Sequence, residues 1–326
     1  MSKEKKGGFF KKMKIRYVSG PQSLDIKPSG MSRHMGVEFA MGELMELNAL
    51  LGRIVYADDM LLSMIPFYEQ GAFLMCPVNA QEEVKKLVKE SGGFVSQKRS
   101  AEAVAEFLTK VYPKWRNKHG LVHSIYFDKD GVIWEAERLK ENLPFLKIIA
   151  EYIKNCEGPY TAHPPISIAT GASRESTMKV LEYIQLNKRN IPAKFHREKP
   201  PFAWPPVIFE EGCLAFDPVT GKTTDLTDEK YGVFPLGFQR IIASINKLGQ
   251  EINKRVPEIN GQLGSDCKIV TKEKSGYTLD LPFGVRGSLE ELRKAHALIY
   301  RNIQNLIGEG MEFAGLFTRE ELKSEE

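Results

Sequence analysis

The sequence predicts an α/β fold: a Rossmann-like core with a parallel sheet and helices on both faces, followed by a smaller α/β domain. Three features predict it. Between about residues 37 and 200, short apolar, β-rich runs alternate with helix-periodic stretches, as in a parallel sheet wrapped by crossover helices. A proline-rich stretch over 190–206 (NIPAKFHREKPPFAWPP) interrupts the alternation and reads as a linker or hinge. Beyond it, a hairpin pattern, a long helix, a strand pair and a further helix spell out a second unit.

Each element has its own signal. Residues 53–57 (RIVYA) and 72–75 are short apolar runs that predict strands. Residues 81–90 (QEEVKKLVKE) and 101–111 (AEAVAEFLTKV) carry apolar positions at helical spacing among good helix formers. Residues 121–127 (LVHSIYF) are β-rich and stop abruptly at Asp128. A helix over 143–155, a strand over 166–169 ending in Thr170-Gly171, and a helix over 175–185 complete the first unit. In the second, 207–216 and 222–227 read as a hairpin about Asp217–Gly221. A helix over 237–255, a strand pair across 268–281 and a helix over 288–307 follow.

The bulk composition narrows the class. At 42% hydrophobic and 27% charged residues, the 326-residue chain has the make-up of a globular protein. No apolar run approaches the roughly 18–20 residues that span a bilayer, and the basic start (MSKEKKGGFFKKMKIRY) lacks the apolar core of a signal peptide. The expectation is a cytoplasmic protein with no membrane partner. A net charge of +4 is too small to argue for nucleic acid. Cys76, Cys156, Cys213 and Cys267 are scattered, with no spacing that suggests zinc or a disulfide framework.

Chemistry concentrates at two strand ends. In Ser124-Ile-Tyr-Phe-Asp128-Lys-Asp130-Gly131, an apolar strand delivers two carboxylates two residues apart, which point the same way on an extended chain. A carboxylate is already ionised at neutral pH and can attack phosphorus, while a second carboxyl serves as general acid and then base. The same Lys-Asp-Gly sequence is also a β-hairpin turn signal. The second strand end, Ile166-Ser-Ile-Ala-Thr170-Gly171, places a hydroxyl and a glycine before a helix, an arrangement suited to phosphate and equally to a plain N-cap.

These segments resemble the first and second motifs of the haloacid dehalogenase (HAD) superfamily of hydrolases: Asp-x-Asp-Gly after an apolar strand, then a strand ending in Thr-Gly. Pro206-Val-Ile-Phe-Glu210-Glu211-Gly212 resembles the Glu-Asn-Gly entry to the large α/β (C2-type) cap of the Cof-like phosphatases, with Glu211 where Asn is usual. Ser23-Leu-Asp25-Ile-Lys27-Pro28-Ser-Gly30-Met-Ser-Arg33 resembles the strand leaving the cap and the third motif, with Arg33 in place of Lys and Lys27 as the fallback. Ile54-Val-Tyr-Ala-Asp58-Asp59-Met60 resembles the fourth. The third and fourth motifs precede the first, so the resemblance implies a circular permutation, the old ends joined through about residues 112–120.

The resemblance implies a division into a basic tail (1–14), a cap strand (15–27), a HAD-like core (28–200), an α/β cap (201–310) and a C-terminal tail (311–326). It implies a magnesium-dependent phosphatase acting on a small phosphorylated metabolite, sugar-phosphate-like, through an aspartyl-phosphate. Asp128 would be the nucleophile and Asp130 the acid/base. Thr170, Gly171 and Arg33 would hold phosphate; Asp128, Asp130 and Asp58 or Asp59 would hold Mg2+. Asp58-Asp59 also fits an ordinary acidic helix start. Two other outcomes stay open: a phosphotransferase or mutase on the same fold, and a catalytically silent binding or structural protein. His34 and His163 are weaker candidates, and Phe202 and Trp204 read as packing residues. Oligomeric state is not legible.

Overall fold

The structure, a computed structural model, describes residues 15–19, 23–28, 31–45, 54–196, 202, 204–263, 268–271, 274, 276–280, 297–298 and 301–302. In chain order the principal elements are β1 (Ile15–Ser19), β2 (Ser23–Pro28), α1 (Arg33–Met45), β3 (Ile54–Ala57), α2 (Leu61–Glu69), β4 (Phe73–Cys76), α3 (Glu82–Glu90), β5 (Phe94–Val95), α4 (Ser100–Glu106), α5 (Tyr112–His119), β6 (Ser124–Phe127), α6 (Leu139–Lys154), β7 (Ile166–Ile168), α7 (Arg174–Tyr183), β8 (Val207–Phe209), β9 (Leu214–Phe216), β10 (Thr223–Asp225), α8 (Phe238–Leu263), β11 (Lys268–Thr271) and β12 (Tyr277–Asp280). They form two compact units, one of residues 32–226 and one of residues 1–31 and 227–326.

The first unit is built on a five-stranded parallel sheet in the order β5-β4-β3-β6-β7, a Rossmann-like core. Ile54–Ala57 and Ser124–Phe127 are buried along their whole lengths. A strand covered on both faces has no solvent side for polar residues, which explains these near-continuous apolar runs. From β3 the chain steps through β4 to β5 in one direction; β6 and β7 step in the other. The sheet therefore has its topological switch point between β3 and β6, where ligands of such sheets bind beyond the strand ends.

Flanking helices obey local rules. Glu82 and Glu83 open α3 and Lys89 closes it, complementing the helix dipole. Ser173 caps α7 by accepting from the Ser176 amide. The helix expected over 101–111 begins at Ser100, passes through a π-turn at Phe107–Val111 and continues as α5. The segment taken as the join between old ends, 112–120, is thus mostly helix.

Two expectations about the second half change. The run 207–216 is two strands, not one, because Glu210, Glu211 and Gly212 all adopt positive φ and fold β9 back on β8. The first unit also extends to Leu226, so 201–226 packs with the core and 190–206 is no boundary. The reason is hydrogen bonding along the sheet edge. The Trp204 indole donates to Ile166 O, Ser167 Oγ donates to Pro206 O, and the Thr170 amide donates to Ile208 O.

The second unit has an antiparallel sheet, β1-β2-β12-β11, with α8 packed on β2 and β11. Buried Ile242, Ile245, Leu248, Ile252 and Ile259 recur along one face of α8. Of the helix expected over 288–307, residues 297, 298, 301 and 302 are described, and they are helical. Residues 1–14 and 311–326 lie outside the described residues.

Candidate functional site

The site forms where β3 and β6 end side by side. Ala57 and Phe127 are register partners, so the next residues, Asp58 and Asp128, emerge together at the switch point. Neither chain turns into a hairpin after its aspartate. After Asp128 the loop closes on itself: the Ile133 and Trp134 amides donate to Lys129 O, and the Gly131 amide donates to Trp134 O. The hairpin reading of Lys129-Asp130-Gly131 therefore does not hold.

Arg33, from the start of α1, enters between the two strands. Its Nη1 lies 2.6 Å from Asp58 Oδ2 and 3.0 Å from Asp128 Oδ1, and it also donates to the Tyr56 hydroxyl. Its Nε lies 3.5 Å from Glu211 Oε2. Tyr56 stands two residues before Asp58 on the same strand face and donates to Asp58 Oδ2 at 2.6 Å. Asp58 Oδ1 accepts from the amides of Asp59 and Met60. Burial disfavours the charge on Arg33, but Asp128, Asp58, Tyr56 and Glu211 outweigh it and hold its pKa above the ordinary value.

Acidic groups outnumber bases here. Asp58, Asp59 and Asp128 can each present a carboxylate oxygen within 4.8 Å of the others. Burial pushes the Asp59 pKa up to about 8, and the neighbouring Asp58 and Asp128 charges add to it. Burial raises Asp128 as well; Arg33 and a hydrogen bond from Thr170 act against the rise. Such a cluster of hard carboxylate oxygens could hold a metal ion. Asp58 has all four of its acceptor sites used by protein donors, whereas the Asp59 side chain has no hydrogen-bond donor among the described residues. Asp59 packs on Gly131, where a Cβ would stand 2.0 Å from its Oδ2, and Gly131 has φ +75.

Asp130 is held differently. Its side chain is 63% exposed, and the buried Lys129 amine donates to its Oδ1 and to Ser176 Oγ. Asn79 Nδ2 and Ser100 Oγ both donate to Gly131 O, pinning the loop from the β4 side. Ser100 itself sits at φ +42. At the end of β7, Thr170 is buried, its hydroxyl accepting from the Ala172 amide.

Arg33, Asp58, Asp59, Asp128, Thr170 and Gly171 thus come together from four separated segments. Lys27 belongs to the other unit. His34 bonds Ser32 beside Phe67, and His163 bonds Glu157 on the surface. Phe202 and Trp204 are buried packing residues. Sequence reasoning missed Tyr56, Lys129, Asn79 and Ser100 as contributors. Tyr56 was findable, since a polar hydroxyl two residues before a strand-end acid shares its face. Comparison of the chain with protein-family models, curated proteins and solved structures finds no match.

Proposed function

We propose that this chain is a divalent-cation-dependent phosphatase of the HAD type, with Asp128 as nucleophile. One observation carries the reading. An aspartate at the switch point is flanked by a buried arginine, a second acidic strand end and a strand-end threonine, all drawn from separate segments. Strand β6, leading to Asp128, lies between β3 and β7, which lead to Asp58-Asp59 and to Thr170. Pairing of β2 with β12, which lie before and after the first unit in the sequence, supports the permuted arrangement.

In this reading Asp128 Oδ attacks the phosphorus of a phosphate monoester, the P–O ester bond breaks, and an aspartyl-phosphate forms. Asp130 gives its proton to the departing alkoxide, then takes one from the water that hydrolyses the acyl-phosphate. To do so it exchanges its bond to Lys129 for one to substrate. Arg33 and Thr170 orient the phosphoryl oxygens. A cation such as Mg2+ would be held by Asp59, Asp128 and the main chain at Asp130, and would offset phosphoryl charge. Asp58 positions Arg33 instead of serving as the principal ligand. Small phosphorylated metabolites are the proposed substrate class.

The test is a broad phosphate-ester panel with purified protein and magnesium, alongside Asp128→Asn. Phosphate release by the native chain and not the variant supports the reading. A folded, magnesium-supplied protein with no activity anywhere on the panel removes it. Transfer to an acceptor hydroxyl in place of phosphate release would mark a phosphotransferase.

A further inference from the structure

Arg33 carries one donor that its neighbours leave unspent. Its Nη1 serves Asp58, Asp128 and Tyr56, but its buried Nε has no hydrogen-bond partner among the described residues. The acceptor beside it is Glu211 Oε2, at 3.5 Å, too far for a good bond. Buried guanidinium N–H groups without acceptors are rare and point to something missing.

Glu211 also crowds the strand end opposite. A Cβ built on Gly171 would stand 2.4 Å from Glu211 Oε1 and 3.4 Å from Arg33 Nη2. The carboxylate therefore stands at both Arg33 and Gly171, two of the groups assigned to phosphate. A strained turn keeps it there. Glu210 and Glu211 have φ of +53 and +57, a region that two successive glutamates seldom share. Their amides donate to Ala172 O and Thr170 O, which latches the turn to the end of β7. Gly212 follows at φ +93, where a Cβ would meet Ser32 O at 2.6 Å.

We propose that Glu211 is a built-in anion that half-fills the subsite of Arg33, Thr170 and Gly171, and that a phosphate must displace its carboxylate to gain the Arg33 Nε donor. The proposal rests on the phosphate-ester reading above. A carboxylate repels an incoming phosphate dianion at short range, so free phosphate is held weakly and leaves readily. A strained turn suits this role, since displacement can relieve it.

Inorganic phosphate with magnesium, titrated by calorimetry at fixed ionic strength, tests it. Glu211→Gln removes the charge at nearly constant volume. Glu211→Asn removes it with a residue that tolerates left-handed backbone, so the two substitutions fail for different reasons if either disturbs the fold. Circular dichroism and thermal melting establish which is folded. The expected result is at least tenfold tighter phosphate binding by the folded neutral variants than by the native chain. Damage to the site would weaken binding, so a gain cannot arise from disruption. Equal or weaker binding by the variants, with measurable binding by the native chain, overturns the proposal and leaves the phosphate site standing. No binding by any of the proteins overturns both.

Discussion

Strands β3 and β6 lie side by side in register, and each ends in an aspartate, yet the two carboxylates live differently. Asp58 is saturated by Arg33, Tyr56 and two main-chain amides, and it anchors the arginine. Asp128 shares that arginine, accepts from the Lys129 amide and Thr170, and faces Asp59 across the site. On the phosphatase proposal, equivalent positions in a sheet would thus give a structural acid and a reactive one. What separates them is the donor supply around each, not the strand that carries them.

The sharpest way to break this comparison is to neutralise each acid. Asp128→Asn keeps the shape of the side chain and removes the proposed nucleophile. Hydrolysis of any phosphate ester that the native chain accepts should fall by about a thousandfold or more, with unfolding free energy nearly unchanged. Asp58→Ala should do the reverse in stability. It leaves Tyr56, two amides and part of Arg33 without their acceptor, and should cost about 3 kcal/mol in urea unfolding. A pair of variants with equal effects on stability would erase the distinction.

Asp59 supplies a third, smaller test. Without a cation its charge is unfavourable, so Asp59→Asn should stabilise the magnesium-free chain by about 1–2 kcal/mol. If magnesium binds as proposed, it should raise the melting temperature of the native chain, and the same substitution should abolish that rise. If magnesium stabilises native and variant chains equally, Asp59 is not a ligand.

The strand ends were legible from sequence for a physical reason. An apolar run that stops at an acid, or at a hydroxyl and a glycine, announces a buried strand delivering polar groups: β3 runs into Asp58, β6 into Asp128 and β7 into Thr170-Gly171. The boundary of the first unit was not legible. Proline-rich sequence at 190–206 signals a break, yet Trp204 and Pro206 bond into the edge of the sheet, a long-range outcome invisible to local pattern. The turn at Glu210-Glu211 was hidden for a related reason. Positive φ is expected of glycine or asparagine, and the two glutamates there are latched by their amides to the end of β7. Arg33 was singled out because of its place relative to the other motifs; nothing local to it marks it as buried among carboxylates.

A last effect, of similar size, sets the two ends of β6 against each other. His123, just before the strand, is buried, with the Tyr160 ring edge-on and Ser124 beside it, and burial lowers its pKa to about 4. It is neutral in the fold, whereas the unfolded chain takes a proton near pH 6.5. Its contribution to stability is therefore intact above pH 6.5 and is lost as pH falls toward 4. The cluster at the other end has the opposite sign. The raised pKa of Asp59 means that the fold holds a proton the unfolded chain has released, so acid stabilises there and stability declines as pH rises toward 8. In the native chain the two trends partly cancel between pH 6.5 and 5. Replacing His123 with Gln, which cannot charge, should uncover the carboxylate trend: from pH 7 to 5 the variant should gain about 2 kcal/mol relative to the native chain, read by urea unfolding without magnesium. The same titration of His123→Gln with saturating magnesium should flatten, because a cation at Asp59 and Asp128 competes with the proton. A variant whose stability runs parallel to the native chain across this range would mean that His123 reaches solvent and that the charge contrast along β6 is confined to one end.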